Sequence, residues 1–118
     1  RLGAAYDAAL SGHVGVQAAP TGAENAYGLY TIRLPDAATR ARVQAALSEQ
    51  KIGSGIYYPK PLHHQPAYAT HHAGCIVGGP APLPVSEALC DQVLSLPMHP
   101  YMTEADAIRA AGVVVGAL

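Results

Sequence analysis

A proline-rich stretch at residues 59–83 is the feature that most constrains what this chain can fold into. Proline lacks a backbone N–H and has a fixed φ, so it interrupts helices and is excluded from central strands. A stretch without regular structure that exceeds about 12–15 residues is usually functional or disordered. The sequence therefore predicts short elements on both sides, with the stretch itself as the first candidate for a site. It contains five of the ten prolines and four of the six histidines: Pro59, Pro61, Pro66, Pro80, Pro82, His63, His64, His71 and His72.

The composition indicates one small domain that neither binds nucleic acid nor spans a membrane. The 118 residues suit a single domain, and the net charge of −1 leaves no basic surplus for a phosphate backbone. The longest apolar stretch, Val113 to Val115, is far shorter than the ~20 residues that a bilayer requires. Charged residues make up 13% of the chain, about half of the ~25% in typical domains. We therefore expect part of the surface to be covered, as in a piece of a larger protein.

The two cysteines, Cys75 and Cys90, do not indicate a disulfide framework. The chain begins at Arg1 and shows no secretory signal segment, so an oxidising compartment is not indicated. Cys90 lies within a predicted helix, where a reduced thiol behaves as a small apolar residue. We therefore expect a cytoplasmic protein.

Hydrophobic periodicity and turn residues predict four helices and three short strands. Helices are expected at 1–11, at 36–50, from Pro84 onward, and from a capping box of Thr103 and Asp106 to the chain end. Strands are expected at 14–18, 27–34 and 55–58, with a further extended piece at 94–98. Such irregular alternation indicates a small sheet covered by helices, an α/β fold that is α+β when classed alone.

The same patterns predict which side chains are buried. Alternation along the central strand places Tyr30, Ile32 and Leu34 on one face. The third helix is expected to carry Val85, Leu89 and Val93 as its apolar side chains. The final helix is expected to turn Ile108, Val115 and Leu118 inward.

The segment from Gly53 to Tyr68, GSGIYYPKPLHHQPAY, closely resembles a stretch of the DegT/DnrJ/StrS family of sugar aminotransferases. Three other segments agree with that family in the same order: AYGLYTIR at 26–33, LPVSEAL at 83–89 and VLSLPMHP at 93–100. The resemblance covers nearly the whole chain. It implies that residues 1–118 are the C-terminal small domain of a fold type I transferase that uses pyridoxal phosphate.

The resemblance also implies what this domain lacks. In the family, a large domain supplies the lysine that holds the cofactor, the acidic partner of the pyridine nitrogen and most phosphate contacts. Neither Lys51 nor Lys60 fits that lysine by motif, so we expect no catalytic or cofactor-binding residue here and an inactive fragment. The parent enzyme would be a homodimer that aminates a nucleotide-linked keto-sugar from an amino-acid donor, in cell-surface polysaccharide or glycan biosynthesis.

The resemblance places five candidate substrate-binding residues at the mouth of the active site: Tyr57, Tyr58, Lys60, His63 and Gln65. Tyr57 replaces a histidine that is common at its position, and both can donate a hydrogen bond. Tyr58 offers a ring and a phenol to the sugar, and Lys60 a compact cation to its diphosphate. His63 and Gln65 suit hydroxyl or phosphate groups. For His63, a hydrogen bond that fixes the loop is an equal alternative.

Other functions remain open at this stage. Some relatives use the aminated cofactor to dehydrate a sugar, and the residue that distinguishes them lies outside this chain. A non-enzymatic sugar-nucleotide module is a second alternative. A zinc module is a third, because His63, His64, His71, His72 and Cys75 are zinc-type ligands in one segment. Neighbours on an extended chain point to opposite faces, so each histidine doublet would give one ligand at most. We therefore expect no functional metal site.

Overall fold

The computed structural model describes residues 1–71 and 82–118. Its elements, in chain order, are α1 (Leu2–Leu10), β1 (Tyr30–Arg33), α2 (Ala37–Glu49), a 3-10 turn (Leu62–His64), α3 (Pro66–His71), α4 (Pro84–Gln92), β2 (Val93–Leu96) and α5 (Glu104–Gly116). Helices thus surround one small sheet, and the predicted mixed fold is confirmed. Within the described ranges, no helix is long and apolar enough to cross a membrane.

The sheet consists of β1 and β2, which run antiparallel with Tyr30 opposite Leu96 and Arg33 opposite Val93. The extended piece expected at 94–98 is therefore a true strand. The strands expected at 14–18 and 55–58 are wrong in extent, because each is reduced to a single bridge, Gly15 to Arg33 and Gly55 to Ser95.

Prolines explain why these two bridges do not extend into strands. After Gly15 the chain reaches Pro20 and then a turn at Gly22, where φ is 82°. After Gly55 it reaches Pro59, which has no N–H to donate to a ladder. The predicted strand at 27–34 is likewise shorter than expected, because pairing begins only at Tyr30.

The core is one cluster of fourteen buried apolar residues: Tyr6, Leu10, Tyr30, Ile32, Leu34, Val43, Leu47, Leu94, Leu96, Met102, Ala107, Ala110, Ala111 and Val114. It includes the predicted face of β1. Helices α1 and α2 both pack against α5, and α2 also contacts β2 and α4. This core is formed by residues of α1, α2, α5 and both strands together with Leu34 and Met102, so the domain has a hydrophobic core of its own.

Two helix starts match their sequence signals. Asp36 caps α2 by accepting a hydrogen bond from the Thr39 N–H at 2.7 Å. Thr103 and Asp106 form the predicted capping box at the start of α5, with the Asp106 carboxylate accepting from the Thr103 N–H at 2.8 Å. Gly12, at φ 83°, follows the end of α1 as expected.

The predicted inward face of α5 is wrong. In α5 the buried residues are Ala107, Ala110, Ala111 and Val114, whereas Ile108 and Leu118 are exposed and Val115 is half-buried. Small alanine side chains allow α1 and α2 to approach α5 closely. The alanine face of α5 is therefore buried, and the face that carries Ile108 is not.

Helix α4 has no buried residue. Val85 is 72% exposed, Leu89 is half-buried and Val93 belongs to β2. Polar contacts hold this helix in place, since the Arg40 guanidinium donates to the Cys90 carbonyl and Gln92 donates to the Pro35 carbonyl.

Candidate functional site

The segment after the Gly55 bridge takes its shape from prolines and a 3-10 turn. Pro61 precedes the turn, and its carbonyl accepts from the His64 N–H at 3.0 Å. The Gln65 N–H then donates to the Leu62 carbonyl, also at 3.0 Å, before Pro66 begins α3. Proline fixes φ on both sides of this turn, so the side chains between Pro61 and Pro66 are held in a set arrangement.

This segment and α4 enclose a largely apolar groove of about 780 Å³, which we call the α4 groove. Its lining residues are Tyr58, Lys60, Pro61, Leu62, His63, Gln65, Tyr68, Leu83, Ser86, Leu89 and Cys90. Four of the five candidate residues from the sequence, all except Tyr57, therefore meet at one place.

Tyr57 lies at a different groove, beside Gly55 and the end of β2 at Leu96. Its ring covers Gly55 so closely that a Cβ added there would lie 2.7 Å from the ring. The Tyr57 and Tyr58 rings still touch edge to face, with their centroids 5.9 Å apart. The two tyrosines thus mark neighbouring grooves rather than one.

His63 is tied to α4 by a hydrogen bond. Its Nε2 lies 2.9 Å from the Glu87 Oε1, and its side chain is only 9% exposed. An ionised carboxylate can only accept, so the His63 Nε2–H donates. The bond from His63, together with one from the Leu83 N–H, lowers the pKa of Glu87 below its ordinary value. Two roles were open for His63, a contact to substrate or a hydrogen bond that fixes the loop. The hydrogen bond to Glu87 is of the second kind.

Sequence reasoning missed Glu87 as a member of this site, since Glu87 is 24 residues from His63 along the chain. A local signal was nevertheless present. Glu87 stands at the fourth helical position of α4, in its first turn, and its carboxylate accepts a hydrogen bond from the N–H of Leu83, the residue before the helix.

His64 approaches the same carboxylate, with its Nε2 3.8 Å from the Glu87 Oε1. The His63 and His64 rings lie 4.2 Å apart between centroids. The premise of the expectation that a doublet supplies one ligand at most does not hold here. It assumed an extended chain, whereas the doublet lies in a 3-10 turn, where successive side chains are separated by a third of a turn. The side chain of His71, and all of His72 and Cys75, lie outside the described residues.

Gln65 also stabilises the segment, because its Nε2 donates to the Lys60 carbonyl at 3.3 Å. The Lys60 side chain is exposed, and no acidic group in residues 1–71 and 82–118 forms an ion pair with it. Tyr58 is 73% exposed. Within the described residues, the Tyr58 phenol and the Lys60 ammonium are two polar groups at this groove with no hydrogen-bond or ion-pair partner, so they can meet a ligand.

Solved aminotransferases share this fold. An aminotransferase from Brucella abortus, described as DegT DnrJ EryC1 StrS, superimposes with a TM-score of 0.82 at 40% identity. DesV of S. venezuelae, solved in complex with a ketimine intermediate, superimposes with a TM-score of 0.81 at 28% identity. Each match covers 98% of this chain and 29% of the solved chain. The fold is therefore that of one part of an aminotransferase of this kind.

The DegT/DnrJ/EryC1/StrS aminotransferase family matches residues 1–115, and the chain belongs to this family. A UDP-2-acetamido-2-deoxy-3-oxo-D-glucuronate aminotransferase of Pseudomonas aeruginosa is 39% identical over 67% of this chain. A UDP-N-acetyl-3-dehydro-alpha-D-glucosamine 3-aminotransferase of Acidithiobacillus ferrooxidans is 38% identical over 81% of it. The matched regions span 19% and 23% of these two relatives.

Proposed function

We propose that residues 1–118 are the C-terminal small domain of a pyridoxal-phosphate-dependent aminotransferase that acts on a nucleotide-linked keto-sugar. The family match over residues 1–115 supports the class of enzyme, and the names of the relatives support a nucleotide-linked sugar as substrate. A cytoplasmic homodimer with an amino-acid donor, working in polysaccharide or glycan biosynthesis, belongs to the same proposal and rests on the family alone.

The residues of this chain do not fit a pyridoxal phosphate site by themselves. The cofactor supplies the electron sink for transamination and is held by a lysine. Lys51 lies at the end of α2, on the surface and away from the α4 groove, and Lys60 is exposed at the groove edge. The Glu87 carboxylate, which lies beside the groove residue His63, is already bonded to that histidine. We therefore propose that this domain orients the sugar, whereas the rest of the enzyme holds the cofactor and carries out its chemistry.

The observation that carries the proposal is that Tyr58, Lys60, His63 and Gln65 line one groove. Lys60 would meet the anionic part of the substrate, because an unpaired ammonium beside an apolar wall attracts a diphosphate. Tyr58 would pack its ring on the sugar and donate from its phenol. His63 and Gln65 would hold the segment that presents these two residues, and Tyr57 would form the adjoining wall.

Nuclear magnetic resonance titration of the 118-residue chain with UDP-N-acetylglucosamine tests this assignment. We expect saturable shifts at the amides of Tyr58 and Lys60, and at neighbours in the groove. Loss of one charge-assisted contact in Lys60→Gln should weaken binding by roughly five- to tenfold, which corresponds to about 1 kcal/mol or slightly more.

Lys51→Gln is the matched control, since it removes the same charge from a site away from the groove. It should bind as the unaltered chain does. Shifts confined to residues outside the groove would contradict the assignment, as would equal affinity of the Lys60→Gln and unaltered chains.

A further inference from the structure

We propose that His63, His64 and Glu87 bind one divalent transition-metal ion of the zinc class at the rim of the α4 groove. One ligand atom from each of these residues lies within 4.8 Å of the other two. The proposal is independent of the function proposed above, since it would hold whether or not the groove accepts a sugar.

The spacing of the three atoms suits a tetrahedral ion. With bonds of about 2.0–2.1 Å, the ligands of tetrahedral zinc are about 3.3 Å apart. The two distances from the Glu87 Oε1 are 2.9 Å to His63 Nε2 and 3.8 Å to His64 Nε2, which lie on either side of that value. The ligand atoms of the two histidines are at most 4.8 Å apart, so bringing all three atoms onto one ion requires that distance to shorten by no more than about 1.5 Å.

The ligands are held in place before any ion binds. Both histidines lie in the 3-10 turn that Pro61 precedes, and the rings are already side by side. The Leu83 N–H donates to the Glu87 Oε1 at 3.1 Å and so orients that carboxylate. Backbone hydrogen bonds of this kind orient metal ligands in proteins and reduce the ordering that binding requires.

Two histidines and one glutamate are a donor set that zinc uses in sites with an open fourth position. The ion would take the place of the proton that His63 Nε2 donates to Glu87, and His63 would bind it as the neutral tautomer that carries its proton on Nδ1. His64, whose side chain is 51% exposed, gives the ion a path from solvent. A water or a ligand oxygen would complete the coordination.

Calorimetric titration of the tag-free 118-residue chain with zinc chloride tests the site. We expect one ion per chain. His64→Ala is the decisive variant, because it removes a ligand but leaves the His63–Glu87 bond and hence the anchoring of the segment. Its affinity should fall by about tenfold or more with an unchanged thermal unfolding temperature in the absence of metal. His13→Ala, outside the groove, is the matched control and should bind normally.

Zinc could instead bind the other cysteine and histidine residues of the proline-rich stretch. A triple variant distinguishes this alternative from the proposed site. It carries His71→Ala, His72→Ala and Cys75→Ala, and it should bind zinc as tightly as the unaltered chain. A second readout is the visible absorption of bound cobalt(II). The unaltered chain should show the strong bands of a tetrahedral cobalt site, and Glu87→Gln should not. The proposal is overturned if zinc shows no saturable binding, if His64→Ala binds as tightly as the unaltered chain, or if affinity is lost only in the triple variant.

Discussion

Tyr30 is the residue around which the core is arranged. Its ring stacks on Tyr6 with centroids 4.5 Å apart, and its hydroxyl donates to the Asp7 Oδ1 at 2.5 Å. The Tyr6 hydroxyl donates to the Pro97 carbonyl at 2.9 Å. Burial, with the nearby Asp106 charge, raises the pKa of Tyr6 to about 12. Burial and the bond to Asp7 raise the pKa of Tyr30 further still.

These raised pKa values predict a loss of stability at alkaline pH. Above about pH 10 the tyrosines of the unfolded chain ionise, whereas Tyr6 and Tyr30 stay protonated in the folded chain. The unfolded state then binds fewer protons, so the free energy of unfolding falls as pH rises, by up to about 1.4 kcal/mol per pH unit for each tyrosine. Urea unfolding at about pH 9, 10 and 11 measures this slope.

Tyr30→Phe separates the contribution of Tyr30 from that of Tyr6. The variant should be less stable at neutral pH by about 1.5–3 kcal/mol, because the Asp7 carboxylate loses its charged hydrogen bond. It should also show a shallower alkaline slope. Tyr101→Phe, at a residue that is 93% exposed, is the control and should change neither quantity. An alkaline slope in Tyr30→Phe equal to that of the unaltered chain would contradict this account.

Among individual residues, the four candidates that line the α4 groove were easier to find from the sequence than Glu87, the hydrogen-bond partner of His63. Tyr58, Lys60, His63 and Gln65 are close together along the chain, so local shape alone brings them to one place. Glu87 comes from a separate helix, and its contact with His63 depends on how α4 lies against the segment, which residue types do not encode locally.

Among the elements, features set by short-range chemistry were predictable. The caps at Asp36 and Thr103 depend on hydrogen bonds across three residues, and the buried face of β1 depends on alternation alone. Strand length and the inward face of α5 depend on distant partners. The isolated bridge at Gly15 and the alanine face of α5 could not be predicted, because pairing and helix approach are tertiary effects.

Two helical glycines should respond oppositely to the same substitution. Gly112 in α5 has nothing within 4 Å of an added Cβ, so Gly112→Ala should stabilise the chain by about 0.5–1 kcal/mol through helix propensity. At Gly3 in α1, an added Cβ would lie 2.2 Å from the Tyr27 ring. Gly3→Ala should therefore destabilise the chain by about 1–3 kcal/mol as Tyr27 is displaced.

Chemical unfolding of the two variants in parallel gives the comparison, and each serves as the control for the other. The interpretation of Gly3 as a site of close approach fails if both substitutions raise the free energy of unfolding equally.

As a whole, the chain exposes more surface than a compact monomer of its size. Its accessible area is 7523 Å², whereas a compact protein of 12.2 kDa exposes about 6,100 Å². Large apolar side chains contribute to the exposed surface, and four of them line the α4 groove: Tyr58, Leu62, Tyr68 and Leu83. A contiguous apolar patch of this kind is typical of an interface. It agrees with the expectation, drawn from low charge, that part of this surface is covered.

The proposed division of labour predicts that the 118-residue chain does not transaminate. Mixed with pyridoxal phosphate and reduced with borohydride, it should show no stoichiometric adduct on either Lys51 or Lys60 by mass spectrometry, because neither lysine sits among groups that would hold the cofactor. The positive counterpart is the Brucella abortus aminotransferase with this chain in place of the matching part, which should bind cofactor and retain aminotransferase activity. A saturable adduct at Lys60 in the chain alone would refute the division.

The packing of α1 against α5 sets the order in which the chain can mature during translation. The two helices lie at opposite ends of the sequence, and β1 pairs with β2 across more than half of it. Ribosomes add roughly 5–20 residues per second, so α1 waits about 5–20 s for its partner to be made. Until α5 leaves the exit tunnel, α1 lacks the helix against which it packs. Completion of this core thus awaits the last helix of the domain, and the nascent segment that still lacks α5 is the state most exposed to chaperones.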